Sequence, residues 1–167
     1  AGGIGFDVSE YLTTEQSPTL NSDHWHKVWG IDQGYEHRGA LAQPIAEPSP
    51  REVVLMQRKE TKVGAGLGKT SGWVHRNTLR HKGVKMLNSV NYERIVPEGI
   101  EITRNGKREL VAADHIIVCA GQLPLRELEQ PLRDAGIDVH RIGGADVAAE
   151  LDAKRAIRQG AELAATI

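Results

Sequence analysis

The feature that most limits how this chain can fold is the stretch from Arg51 to Gly83, where one apolar run passes through a glycine-rich loop into a helix. In "REVVLMQRK" the four apolar residues Val53–Met56 stand between charged ends, the pattern of a strand buried on both faces of a parallel sheet. "TKVGAGLGKTSG" follows as a loop, and "WVHRNTLRHKG" reads as a helix closed by Gly83 at its C-cap. Strand, loop and helix in that order are the unit from which parallel α/β sheets are built. Downstream, "VKMLNSVNYERIVPEGIEITRNGKREL" holds three short apolar runs, and its Asn-Gly pair predicts a hairpin. "DHIIVCAGQLP" predicts a buried strand ending in a turn, "LRELEQPLRDAG" a broken helix, "VHRIGGAD" a further strand, and "VAAELDAKRAIRQGAELAAT" a long amphipathic helix. The expected fold class is α/β: a Rossmann-like, parallel, doubly wound sheet with an antiparallel hairpin inserted.

Upstream, "AGGIGFDVSEYL" reads as the end of a phosphate-binding turn running into a helix, with Ile4, Val8, Tyr11 and Leu12 as its apolar face. Ala1, Gly2, Gly3, Ile4 and Gly5 match the last five positions of such a turn, written G-A-G-G-I-G. The leading strand and first glycine would precede residue 1, so the expectation is a chain truncated inside the motif. Between this helix and Arg51 lies an excursion rich in Pro, Gly and Ser, about residues 21–50, with a helical patch at Asp23–Trp29.

Composition narrows the function classes. Of 167 residues, 40% are hydrophobic and 26% charged, and the net charge is −1, so no bulk field draws the chain to nucleic acid or to a membrane. Cys119 is the only cysteine and is expected as a buried, inert thiol in its strand; a reducing, cytoplasmic location is the expectation. No apolar run approaches the roughly 20 residues of a membrane span. "GAGLGKT" (Gly64–Thr70) fails as a P-loop because Val63 stands where the first glycine is required. The seven histidines lack the paired spacing of a zinc site, and no metal ligands are expected.

The strand ends carry the chemistry. In a dinucleotide-binding fold the strand after the phosphate turn ends in the group that reads the ribose: an acid for a free 2′-hydroxyl, a cation for a 2′-phosphate. Arg58 and Lys59 occupy that end and point to NADPH. "IIVCAGQLP" ends a second strand in a turn, and "IGGAD" ends a third with an acid just ahead of a helix.

The run "VLMQRKETKVGAGLGKTSGWVHRNTLRHKGVKML", together with "IIVCAGQLP" and "IGGADVAAELDAKRAIRQGAELA", closely resembles the C-terminal part of bacterial NADPH-dependent 2,4-dienoyl-CoA reductases, in the old-yellow-enzyme group with an iron–sulfur cluster. The resemblance covers essentially the whole chain, including the tryptophan-containing "WGID". It implies NADPH and FAD as cofactors, with FMN and a 4Fe-4S cluster held elsewhere in the parent polypeptide, and electrons passing from NADPH through FAD, cluster and FMN to a 2,4-dienoyl-CoA in unsaturated fatty acid β-oxidation. Residues 1–121 would be the NADPH-binding domain and 122–167 the closing segment of the FAD-binding domain.

Residue roles implied by the resemblance follow position by position. Gly2, Gly3 and Gly5 match the pyrophosphate turn, Arg58 and Lys59 the 2′-phosphate clamp, and Trp73 a tryptophan beside the NADPH site. Ala120 and Gly121 match the turn leading back toward the flavin. Gly144 belongs to the glycine pair, with Gly143, that leaves room for a cofactor. Asp146 matches an acid that accepts from the FAD ribityl chain, its competing role being an N-cap. Val147, Ala148 and Ala149 would begin the helix facing the flavin. No catalytic side chain is expected, because the chemistry is the cofactors'. Expected partners are the two cofactors and the remainder of the parent polypeptide, with no nucleic acid or membrane; exposed strand edges offer a route to oligomers. Alone, the chain is expected not to reduce a dienoyl-CoA. Two other readings stay open: the module of another flavin-dependent oxidoreductase, similar to trimethylamine dehydrogenase and no longer using NADPH, or a non-catalytic binding module.

Overall fold

A computed structural model describes residues 1–45, 47–149 and 151–167. It divides into two compact units, Ala1–Cys119 and Ala120–Ile167.

In the first unit, β1 (Val54–Met56) lies parallel to β2 (Lys85–Leu87), with Leu55 opposite Met86. The crossover between them carries α3 (Gly72–His81), and α1 (Gly3–Thr13) packs against both α3 and β1. Phe6, Leu55, Val63, Leu79 and Val84 are buried where these elements meet. The helix at α1 forms as its sequence predicts, but on a different face. Ile4 and Tyr11 are 60% and 81% exposed, whereas Gly5, Phe6, Ser9 and Thr13 are buried. Ser9 Oγ donates to Gly5 O and Thr13 Oγ1 to Ser9 O, both at 2.7 Å, so the two hydroxyls are satisfied inside the helix and can face a core. Gly5 then permits close approach to the strand: a Cβ there would sit 3.3 Å from Leu55 Cδ1.

Three strands form a separate antiparallel sheet in the order β3 (Asn91–Val96), β4 (Gly99–Arg104), β5 (Lys107–Ala112). The β4–β5 turn has Asn105 at φ 51° and Gly106 at φ 74°, the two left-handed residues of a type I′ hairpin, as the Asn-Gly pair predicts. Val90, Ile100 and Ile102 are buried here, with Met56, Leu87, Val111 and Ile116 packed against them. The architecture is thus mixed α/β, a parallel pair beside an antiparallel sheet.

The expected strand over "DHIIVC" is corrected. Residues 115–119 join neither sheet; Ile116 packs on the second cluster while Ile117 and Val118 are 55% and 77% exposed. Cys119 is accordingly only half-buried and not in a strand. An apolar run becomes a strand only when a neighbouring edge takes its backbone N–H and C=O groups, and no such edge serves this segment among the described residues.

The excursion is ordered by its own polar contacts. Its helix, α2 (Ser22–Trp29), is capped by Asn21 Oδ1 accepting from His24 N at 3.0 Å and ends at Gly30 in the left-handed region, φ 66°. Asp32 closes the next turn by accepting from His37 Nδ1 at 2.9 Å, His37 N at 2.7 Å and Gly34 N at 2.9 Å; these bonds, led by that from the His37 side chain, hold its carboxyl below the usual range. Glu47 then fastens the excursion to the end of α3. It accepts from Lys82 Nζ at 2.8 Å and lies 2.6 Å from His24 Nε2, and the Lys82 bond above all holds its carboxyl low. The Trp29 and His81 rings stand 6.1 Å apart beside this junction.

The second unit is helical: α4 (Glu129–Asp134), α5 (Gly143–Asp146) and α6 (Ala153–Ala164). Two expectations are corrected here. "VHRI" does not form a strand, and Ile142 is extended only as the residue before α5. The last helix does not begin at Val147, Ala148 and Ala149. Val147 is extended (φ −135°, ψ 111°), and α6 begins at Ala153 behind Asp152, whose carboxylate accepts from Arg155 N at 2.8 Å. A carboxylate N-cap is stronger punctuation than the apolar residues running through it. No helix among the described residues is long and apolar enough to cross a membrane.

Candidate functional site

The first unit brings two of the sequence-predicted features, the glycines at the start of α1 and the Arg58–Lys59 pair, to the carboxyl end of β1. The nitrogen of Ala1 lies 3.5 Å from Met56 O, the last residue of β1, which sets the Gly2–Gly5 turn and the start of α1 at that end. Gly2 is the N-cap residue, and a Cβ at Gly2 or Gly3 would meet nothing within 4 Å, so the backbone there is open to approach. The first turn of α1 holds no acidic residue and no side-chain cap. The N–H groups at the start of a helix, uncompensated in this way, favour an anion. Gly5 has a different job, since its missing side chain is filled by Leu55.

Arg58 and Lys59 follow β1 after the single residue Gln57 and are exposed. Lys59 is near enough to Ala1 to act on its nitrogen electrostatically, and Arg58 acts likewise on the Tyr92 phenol, which burial pushes up. Sequence reasoning missed Tyr92; as an aromatic at the start of a strand it carries no motif. Gln57 fixes the turn between strand and cations: its Nε2 donates to Lys59 O at 3.1 Å and Thr61 O at 2.7 Å from a buried position. Trp73 stands on the first turn of α3, past the glycine-rich loop, and is 55% exposed.

The remaining sequence-predicted residues lie in the second unit. Ala120 and Gly121 are exposed, and Gly121 has φ 91°, a conformation that favours glycine. Asp146 ends α5 and caps no helix. Its Oδ2 accepts from Gln159 Nε2 at 3.2 Å, while Gln159 Oε1 accepts from Gly143 N at 2.8 Å, so one amide joins the carboxylate to the glycine pair. Arg126 donates to Ala145 O at 2.8 Å and to Asp146 O, anchoring the same turn. Gly144 packs against Leu151, with a would-be Cβ 3.3 Å from its Cδ2. Val147 is 45% exposed and Ala148 is buried.

The start of α1, open at Gly2 and Gly3, could receive a phosphate group on its backbone N–H groups, and two cations just past the strand end could receive another. No family model matches this chain. Among solved structures, it is similar to a 2-naphthoyl-CoA reductase determined in complex with 2-naphthoyl-CoA, at 20% identity and a TM-score of 0.58, over 70% of this chain and 18% of that one. Over that matched part the chain shares the fold of a segment of that structure, and it spans less than a fifth of that longer chain.

Proposed function

We propose that this chain is the pyridine-nucleotide-binding part of a flavin-dependent oxidoreductase, of Rossmann type, similar to the bacterial NADPH-dependent 2,4-dienoyl-CoA reductases. The observation that carries the reading is the placement of the Gly2–Gly5 turn and the Arg58–Lys59 pair at one end of β1. In this role NADPH supplies the hydride. The backbone N–H groups of α1 receive the pyrophosphate, Arg58 and Lys59 hold the 2′-phosphate, and the exposed indole of Trp73 offers a face to the nucleoside. Residues 1–121 form this domain in the proposal. Residues 122–167 contribute to an FAD site, with Asp146 set by Gln159 to accept from the ribityl chain. FMN, an iron–sulfur cluster and a dienoyl-CoA site belong, on the same reading, to the rest of a longer polypeptide. The cation pair favours this reading over a relative that no longer uses NADPH.

The test is coenzyme titration of the chain, following nicotinamide fluorescence. Saturable NADPH binding is expected, with NADH weaker by about two decades or more, as charge-assisted bonds to one phosphate require. Equal affinity for the two coenzymes, or no binding of either, refutes it.

A further inference from the structure

A basic cleft lies on the first unit beside the Arg58–Lys59 turn, lined by other residues. It has a volume of about 410 Å³ and sits between the glycine-rich loop, α3 and β2. Three cations line it: Lys62 from the loop, and Arg76 and Arg80 from α3. Its floor is apolar, from Val63, Val84 and Met86, and Asn88 closes one end. Neither Arg58 nor Lys59 nor the α1 turn lines it.

Arg76 is held in place by the fold. Arg76 Nη1 donates to Gly64 O at 2.9 Å. That carbonyl is itself fixed, because Gly64 is at φ 75° and sits so close to Phe6 that a Cβ would fall 2.6 Å from Phe6 Cζ. At the other end, Arg104 reaches in from β4, with Nε donating to Asn88 O at 3.0 Å and Nη2 to Asn88 Oδ1 at 3.3 Å. Asn88 Nδ2 donates in turn to Glu60 O at 2.7 Å, which orients the amide. Among the described residues, none of Lys62, Arg76, Arg80 and Arg104 is paired with a carboxylate, in contrast to Lys82, Arg94 and Arg133. Arg76 and Arg80 lie one helical turn apart, where like charges repel. A cleft lined by three cations without a carboxylate partner around an apolar floor is complementary to an anion with an uncharged body, and guanidinium forks match phosphate oxygens in particular. The volume is that of a small-molecule site.

We infer that this cleft binds the phosphate of a small phosphorylated ligand, as a site separate from the proposed NADPH clamp. The inference does not depend on the coenzyme reading. The probe is inorganic pyrophosphate, titrated calorimetrically into the full chain at constant ionic strength, with chloride as the control anion. In the Arg58→Ala, Lys59→Ala variant, which removes the clamp's own phosphate site, saturable binding is expected to remain, and to weaken about tenfold with Lys62→Ala and again with Arg80→Ala. Lys62 and Arg80 are exposed and support no buried contact, so both variants should fold; Arg76 is left intact because it braces the loop. Absence of saturable binding overturns the inference. So does pyrophosphate binding that survives both cleft variants and is lost in the Arg58/Lys59 variant, a result that would place the anion at the coenzyme clamp instead.

Discussion

An Arg58→Ala, Lys59→Ala double variant is expected to lose about two to four decades of its preference for NADPH over NADH. Each charge-assisted hydrogen bond to a 2′-phosphate contributes about 1.5–3 kcal/mol, and adjacent contacts add to less than their sum. NADH lacks that phosphate, so its affinity should hardly move. The two cations follow a strand whose turn is pinned by buried Gln57, so their removal leaves the backbone in place. The comparison is the ratio of dissociation constants for the two coenzymes in variant and wild type. A ratio kept within about twofold would remove Arg58 and Lys59 from the coenzyme site.

Phe6→Ala is expected to destabilise the first unit by about 3–5 kcal/mol, the cost of an aromatic side chain removed from a packed core. Phe6 is 1% exposed and packs with Leu55, Val63, Leu79 and Val84, so it joins α1 to both the parallel pair and α3. Against a typical total of about 5–15 kcal/mol, that loss brings the unit close to unfolding. Urea unfolding should show a lowered midpoint at unchanged slope. A change below about 1 kcal/mol would mean that α1 is not part of this core.

How far the sequence foretold the structure differs from element to element, for physical reasons. The strand at Val54–Met56, its glycine loop and α3 were legible because an apolar run, glycines and a C-capping Gly83 agree with one another. The β4–β5 hairpin was legible because only a few residue types accept two successive positive φ angles. The inward face of α1 was not. Hydrophobicity marks Ile4 and Tyr11, while burial follows hydroxyls that bond back to their own helix, a pairing that polarity scales do not count. Residues 115–118 show the limit of apolar runs as strand signals, since pairing depends on an edge elsewhere in the fold. Asp152 was the readable sign that α6 starts late, an acid ahead of Lys154 and Arg155. Of the candidate site, the glycine turn and the cation pair stood in the sequence as motifs. The basic cleft did not, because Lys62 comes from a loop and Arg76 and Arg80 from α3, and only the latter two share a helical spacing.

The antiparallel sheet described above also bears on the order in which the chain assembles. Each of its strands pairs with the next in sequence, and Val96 meets Gly99 across a two-residue turn. The parallel pair, in contrast, brings Val54 to Lys85, a separation of 85 − 54 = 31 residues. Closing that loop costs about 2 kcal/mol more in chain entropy than closing the hairpin. The meander is therefore the natural nucleus, and the β1–α3–β2 crossover docks onto apolar residues that the meander has already organised, Ile100 and Ile102 among them. In pulse-labelled hydrogen exchange during refolding, the β4 amides should gain protection ahead of Gln57 N, which bonds to Leu87 O only once the parallel pair has formed; protection of Gln57 first would reverse the order.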